Sequence, residues 1–301
     1  MKVQRFNFFG FVLLLAVFVV RPLGAQETRP AAAATRHSLW KVEGQHNTVY
    51  LLGSVHLLKK EDYPLAAPIE AAFTNAQIAV FETDADKMQD LETQTKIMSK
   101  AQLPEGETLK TDLSPQTYAA FTNHVAKAGF PPDTFDTLKP LIAATALEAI
   151  DLLKLGVDPS YGMDVYFFNR ATKDGKQIMT LETVDFQIDL VTGFSKEEAE
   201  PLMKAELKDM DNTQKEYGEV VKAWQTGDTA KLEKVLNDAM HESPTIFKRL
   251  VTDRSQSWIP KIEELARGNK NAIIIVGAGH LVGKDGVVEL LRKKGLKVTQ
   301  Q

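Results

Sequence analysis

The 301-residue chain has no cysteine. That absence excludes a disulfide framework, thiol catalysis, zinc–thiolate sites and a lipid-linked amino-terminal cysteine. Basic residues are not in excess either, since 36 Lys and Arg stand against 40 Asp and Glu, a net charge of −4. An acidic balance leaves no electrostatic footprint for nucleic acid, which is therefore not an expected partner. Long apolar runs are also missing. Phe8 to Val20, interrupted only by Gly10, is about 13 residues long, and a bilayer core takes about 20. No membrane span is expected in the mature chain.

That short run does have the makings of an export signal. Lys2 and Arg5 precede it, Arg21-Pro22 stops it, and Leu23-Gly24-Ala25 offers small residues for cleavage. The expected organisation is a signal peptide over residues 1–25, a Pro- and Ala-rich flexible leader over 26–37, and one α/β domain over 38–301. Losing Lys2, Arg5 and Arg21 takes the basic count from 36 to 33 against 40 acidic residues, net −7. The mature protein is expected in the periplasm or outside the cell.

Hydrophobic patterning suggests a sheet built from both ends of the chain. Thr48–Leu52, Ile78–Phe81, Ile178–Leu181 and Ala272–Val276 are short apolar or β-branched runs that read as core strands. Ser38–Val42 forms a hairpin with the first of them, and His46 falls in the turn. Between the first two runs, Leu65, Ile69, Phe73 and Ala76 have helical spacing, so the unit is βαβ and its strands parallel. Residues 85–176 and 185–267 read as helical insertions, with a kink or break at Pro260. The expected fold class is α/β, a mixed but mostly parallel sheet under a helical cap. His124 reads as a helix-surface or satisfied interior histidine, and His241, beside Glu242-Ser243-Pro244, as part of a helix junction.

Two of the strand runs lead into one device. Gly53-Ser54-Val55-His56 follows the first, and Gly277-Ala278-Gly279-His280 follows the last. Glycine lets the chain leave a strand sharply, and the histidine three residues on can point back over the sheet rim. In an open α/β sheet, ligands gather at the carboxyl ends of strands. Glu82 and Glu182 end the other two runs. Either glutamate could simply cap the helix that follows it, where a carboxylate meets the positive end of the dipole. Two imidazoles and two carboxylates on one rim point instead to a shared site. Two His and one Glu suit a catalytic divalent metal with a position open for water. On that reading His56, Glu82 and His280 hold the metal and Glu182 transfers the proton, although Glu82 and Glu182 could exchange roles. Asp164, which opens a helix, and Arg254, set in an apolar helical segment, are candidates to orient the ligand from behind. The metal would be Mn, Co or Zn, since His and carboxylate ligands suit several.

These motifs carry a resemblance. Leu51-Leu52-Gly53-Ser54-Val55-His56, Val80-Phe81-Glu82, Gly162-Met163-Asp164, Leu181-Glu182-Thr183 with Gln187, and Val276-Gly277-Ala278-Gly279-His280-Leu281-Val282-Gly283 resemble the TraB/PrgY/GumN family, close to its GumN-like periplasmic members and more distantly the Tiki metalloproteases. The resemblance spans about residues 38 to 299. It implies a fold similar to the erythromycin esterase and haem-binding ChaN group. It also implies a metal-dependent hydrolytic site made by the paired histidines and an intervening glutamate. One position departs from the pattern: relatives often carry Asn after the arginine, where this chain has Ser255.

Three function classes follow. The first is an exported metal-dependent hydrolase, a peptidase in particular, acting on a peptide or small molecule. The second is a non-catalytic binder of haem or a metal complex. The third is a regulatory protein with a vestigial site.

Overall fold

A computed structural model of the protein describes residues 36–237 and 244–301. The expected signal peptide, most of the leader and His241 lie outside those residues. Six strands form one sheet: β1 Leu39–Glu43, β2 Thr48–Ser54, β3 Ile78–Phe81, β4 Gln177–Thr180, β5 Ala272–Gly277 and β6 Val298–Gln300. Their order across the sheet is β4-β3-β5-β2-β1-β6. The pairs β4–β3, β3–β5 and β5–β2 are parallel, and β2–β1 and β1–β6 antiparallel. The expected mixed, mostly parallel sheet is thus observed, and the four core strands are its four adjacent parallel ones.

β5 is buried at every residue. A strand flanked on both edges and covered on both faces has no polar side to present, hence the unbroken Ala272-Ile273-Ile274-Ile275-Val276 run. The helix α1 Ala67–Asn75 connects β2 to β3. Between β3 and β4 lie α2 Ala85–Gln89, α3 Leu91–Ala101, α4 Leu109–Asp112, α5 Pro115–Ala128, α6 Pro140–Lys154 and α7 Met163–Lys173. Between β4 and β5 come α8 Val184–Thr192, α9 Lys196–Asp209, α10 Thr213–Gln225, α11 Thr229–Leu236, α12 Pro244–Phe247 and α13 Asp253–Arg267, and α14 Val287–Lys293 precedes β6. α6 starts at Pro140, since proline at the first helical position loses no bond.

One core joins the sheet to α1, α7, α10 and α13, with Phe73 against Phe167 at 4.8 Å and Phe81 against Phe168 at 5.1 Å. The cap has interiors of its own. Phe121, Leu147 and Met203 belong to one cluster, and Leu141, Leu202 and Leu250 to another. No helix of the described residues is long and apolar enough to cross a membrane.

Pro260 does not break α13, which runs through it to Arg267. Proline removes one helical hydrogen bond, and the burial of Trp258, Ile259 and Ile262 beside it keeps the helix seated. The irregular turn falls one element earlier. Lys248–Thr252 is a single π-helical turn in which Asp253 N–H donates to the Lys248 carbonyl.

Candidate functional site

Strand register decides what meets at the rim. Ser54 of β2 is opposite Gly277 of β5, and Phe81 of β3 is opposite both Ile275 and Thr180. The ladder continues past the last strand residues, where Glu182 N–H donates to the Glu82 carbonyl at 2.8 Å. Glu82 and Glu182 are therefore neighbours, with His56 and His280 on the next two strands' exits. His56, Glu82, Arg254 and His280 are all buried.

His56 is held from the side of α7. Met163 N–H donates to the Val55 carbonyl at 3.2 Å. The His56 carbonyl also rests on Gly162, where an added Cβ would stand 2.1 Å from that oxygen. Only a residue without a Cβ permits so close an approach. It brings Asp164, in the first turn of α7, onto the ring: His56 Nδ1–H donates to Asp164 Oδ2 at 2.6 Å. Ser54 Oγ–H donates to the other Asp164 oxygen at 2.9 Å. A carboxylate on Nδ1 fixes the tautomer and leaves the Nε2 lone pair free to take a proton. Burial opposes charge on this ring, but the Asp164 carboxylate, with Glu82 beyond it, outweighs burial and raises its pKa above 6.5.

Arg254 organises the opposite half. Its Nε and Nη2 donate to the two oxygens of Glu182, each at 2.8 Å. Nη2 also donates to Glu82 Oε2 at 2.6 Å, and Nη1 to His280 Nε2 at 3.0 Å and to the Leu250 carbonyl at 3.2 Å. The π-helical turn just before α13 leaves the Leu250 carbonyl facing the guanidinium. An irregular turn of this kind often marks a functional segment. Glu182 receives two further donors, Trp258 Nε1–H at 2.9 Å and Gln187 Nε2–H at 3.1 Å. Glu82 Oε1 accepts from Gly277 N–H at 2.7 Å.

Burial alone would raise the Glu82 carboxyl, yet the Arg254 guanidinium beside it holds it down at about 2. Arg254 is itself raised further above its ordinary range: burial opposes its charge, and the two glutamates more than compensate. Because Arg254 can only donate, His280 Nε2 is the acceptor and Nδ1 carries the proton, facing Ser255 Oγ at 3.1 Å. Burial first, and Arg254 second, push the His280 imidazole down to about 3.

The structure thus brings all six expected residues together: His56, Glu82, Asp164, Glu182, Arg254 and His280. It also adds partners that spacing does not point to. Ser54 holds Asp164, Trp258 caps Glu182 and lies 4.6 Å from the His280 ring, and Gly277 supplies a backbone donor. Ser255, noted above as a departure from the motif, touches His280 directly.

The donor types present suit a divalent ion. Their hydrogen bonds, as arranged, do not: Glu82 Oε2, His280 Nε2 and both Glu182 oxygens face Arg254. Among the described residues no three His, Asp or Glu side chains stand in ligating geometry for one ion. A metal on His56, Glu82 and His280 would require the guanidinium to withdraw.

The family model described as TraB/PrgY/gumN matches residues 38–300, and the chain belongs to that family. Among curated proteins it is similar to the uncharacterized protein YbaP of Escherichia coli (strain K12), with 22% identity over 243 residues. The match covers 81% of this chain and 87% of that protein. YbaP of Shigella flexneri matches with the same identity and coverage. No solved structure matches, so the likeness to the erythromycin esterase and ChaN fold stays an implication of the resemblance.

Proposed function

We propose that this family member is an exported hydrolase of acyl bonds, amide or ester, in peptides or small molecules, with His56 as general base. The observation that carries the reading is the Ser54–Asp164–His56 chain of hydrogen bonds. It presents a buried, oriented Nε2 lone pair beside the ionised Glu82 and a clamped arginine. As the water oxygen bonds to the acyl carbon, one of its protons passes to His56 Nε2. The bond to the leaving nitrogen or oxygen then breaks, and the leaving group takes that proton from His56. Asp164 holds the ring in the required tautomer and stabilises the transient imidazolium. Arg254 fixes the positions of Glu82 and Glu182 in this scheme, and Glu182, with both oxygens engaged, anchors the clamp.

A divalent-metal hydrolase is the second reading, favoured by one observation. His56 Nε2, Glu82 Oε1 and the His280 ring all pack against Gly277, 3.2, 3.4 and 3.7 Å from where its Cβ would stand. With Arg254 withdrawn, His56, Glu82 and His280 would hold Mn, Co or Zn, and the bound ion would polarise the attacked carbonyl and acidify its water. Export with cleavage of residues 1–25 belongs to the same proposal; recovery of the protein in the cytoplasm with Met1 intact would contradict it.

The test is a peptide and ester library assayed with the purified protein, its H56A variant and a chelator. Hydrolysis that survives the chelator and falls roughly 10²–10⁴-fold in H56A supports the general-base reading. Hydrolysis lost to the chelator and restored by Mn, Co or Zn supports the metal reading instead. No hydrolysis of any acyl bond overturns both.

A further inference from the structure

A guanidinium carries five N–H donors in a fixed planar fork and has no acceptor. Arg254 commits all five. Nε donates to Glu182 Oε1, Nη1 to the Leu250 carbonyl and His280 Nε2, and Nη2 to Glu82 Oε2 and Glu182 Oε2, at distances from 2.6 to 3.2 Å. No N–H is left over for a substrate, and His56 is not among the acceptors. The acceptors come from the ends of β3 and β4, the π-helical turn and the exit of β5. They are also held from behind. Trp258 Nε1–H holds Glu182 Oε1 at 2.9 Å, Gly277 N–H holds Glu82 Oε1 at 2.7 Å, and Ser255 Oγ faces His280 Nδ1 at 3.1 Å.

This spacing separates one cation from another. Each guanidinium nitrogen stands about 1.3 Å from the central carbon, which sets the acceptors roughly 3.5–4 Å from the middle of the charge. A divalent ion takes its N and O ligands at about 2.0–2.2 Å. To reach one, the acceptors would have to close in by about 1.5 Å, and each would strain or lose the bond that holds it in a buried place. An ammonium has only three donors and would leave buried acceptors unpaired. We propose that this centre is a guanidinium site, a cradle of five acceptors filled in the native chain by Arg254, which discriminates against divalent metals and ammonium ions. The cation facing Glu82 and Glu182 is then part of the chain itself. The metal set expected from the sequence, His56, Glu82 and His280, is not the set that surrounds this cation, which is Glu82, Glu182, His280 and the Leu250 carbonyl. None of these contacts depends on hydrolysis; occupancy, not turnover, is what tests them.

The variant to use is R254A, which deletes the guanidinium and leaves its acceptors. Ethylguanidinium replaces the deleted atoms and is titrated against R254A, with propylammonium and with Zn, Mn or Co in parallel. The thermal midpoint of R254A should rise by roughly 3–6 °C once ethylguanidinium stands about tenfold above its Kd. Propylammonium and the metals should give no such rise, and neither should ethylguanidinium with the wild type, whose cradle is filled. R254A dialysed against Zn, Mn or Co should hold well under one equivalent by elemental analysis. A full equivalent of metal on R254A overturns the proposal, and so does a folded R254A that ignores ethylguanidinium or is stabilised as well by propylammonium. If R254A does not fold, the wild type decides. Its nitrogen-15 NMR spectrum should show separate, slowly exchanging Nη–H signals for Arg254 that persist when zinc is added to one equivalent. Loss of those signals as zinc is added would equally overturn it.

Discussion

His56 and His280 end the same four-residue device on adjacent parallel strands, yet the fold puts them in opposite electrostatic surroundings. His56 turns Nδ1 toward a carboxylate, Asp164, and its pKa rises. His280 turns Nδ1 toward a neutral hydroxyl, Ser255, and Nε2 toward a cation, Arg254, and its pKa falls to about 3. Burial is common to both rings, so the charge of the nearest partner decides the outcome. A shared sequence pattern places two imidazoles on one rim. Residues over 100 positions from His56, and about 25 from His280, decide which of them can carry a proton near neutral pH.

Removing the cation should have the largest effect. Arg254→Met leaves Glu82 and Glu182 buried without their counter-ion, and losing one partner of a buried ion pair costs roughly 3–5 kcal/mol. Denaturant unfolding measures it, and a loss below about 1 kcal/mol, the range of an exposed pair, would show that the clamp is not as buried as described. The same variant should make the two histidines more alike by lifting the pKa of His280.

Asp164→Asn works from the other side, taking the carboxylate from His56. On the general-base reading, turnover should fall roughly 10²–10⁴-fold while the thermal midpoint changes little. Unchanged turnover would remove Asp164 from the mechanism.

Acid pH should separate the histidines in the wild type. His56 must be neutral to accept a proton, so activity should rise with pH along an acid limb centred above 6.5. Stability follows each shift in its own direction. The raised pKa of His56 contributes stability below about 6.5 that is lost as pH rises through its folded value. The lowered pKa of His280 makes the unfolded chain bind more protons from about 6.5 down to about 3, so stability falls across that window. Glu82, depressed to about 2, adds a further loss below about 4.5. Denaturation midpoints measured across pH 3–8 check the net slope, which should be destabilising toward acid. A flat profile would mean that His280 is not held neutral.

Ser255→Ala is the mildest change. It deletes one hydroxyl facing His280 Nδ1 and should cost about 0.5–1.5 kcal/mol, with Nε2 still facing Arg254 and activity largely retained. A large loss of turnover would make Ser255 a determinant of the site.

Much of this is legible in the chain itself. Apolar runs bounded by glycine or glutamate mark the four parallel strands, and their end residues are the four that converge. Asp164 and Arg254 stood out for a local reason, a helix-opening anion and a cation in an apolar segment. The division of labour was not legible. That Arg254 reaches Glu82, Glu182 and His280 at once depends on the π-helical turn at Lys248–Thr252, which no periodicity announces. Trp258 carries no such mark, because nothing in a sequence tells where an indole N–H will point. Which of Glu82 and Glu182 does what is open in the sequence, where their roles could be exchanged. The ladder makes them neighbours, but Gly277 donates to one and Trp258 to the other.

The most direct test is a histidine-selective NMR titration of the metal-free protein, with His56 and His280 assigned through their alanine variants. The expected result is a His56 ring that is protonated on Nδ1 when neutral and titrates above pH 6.5, beside a His280 ring that stays neutral until well into acid. Two rings titrating together, or His280 titrating at or above 6.5, would contradict the opposition between the two motifs on which the proposed chemistry rests.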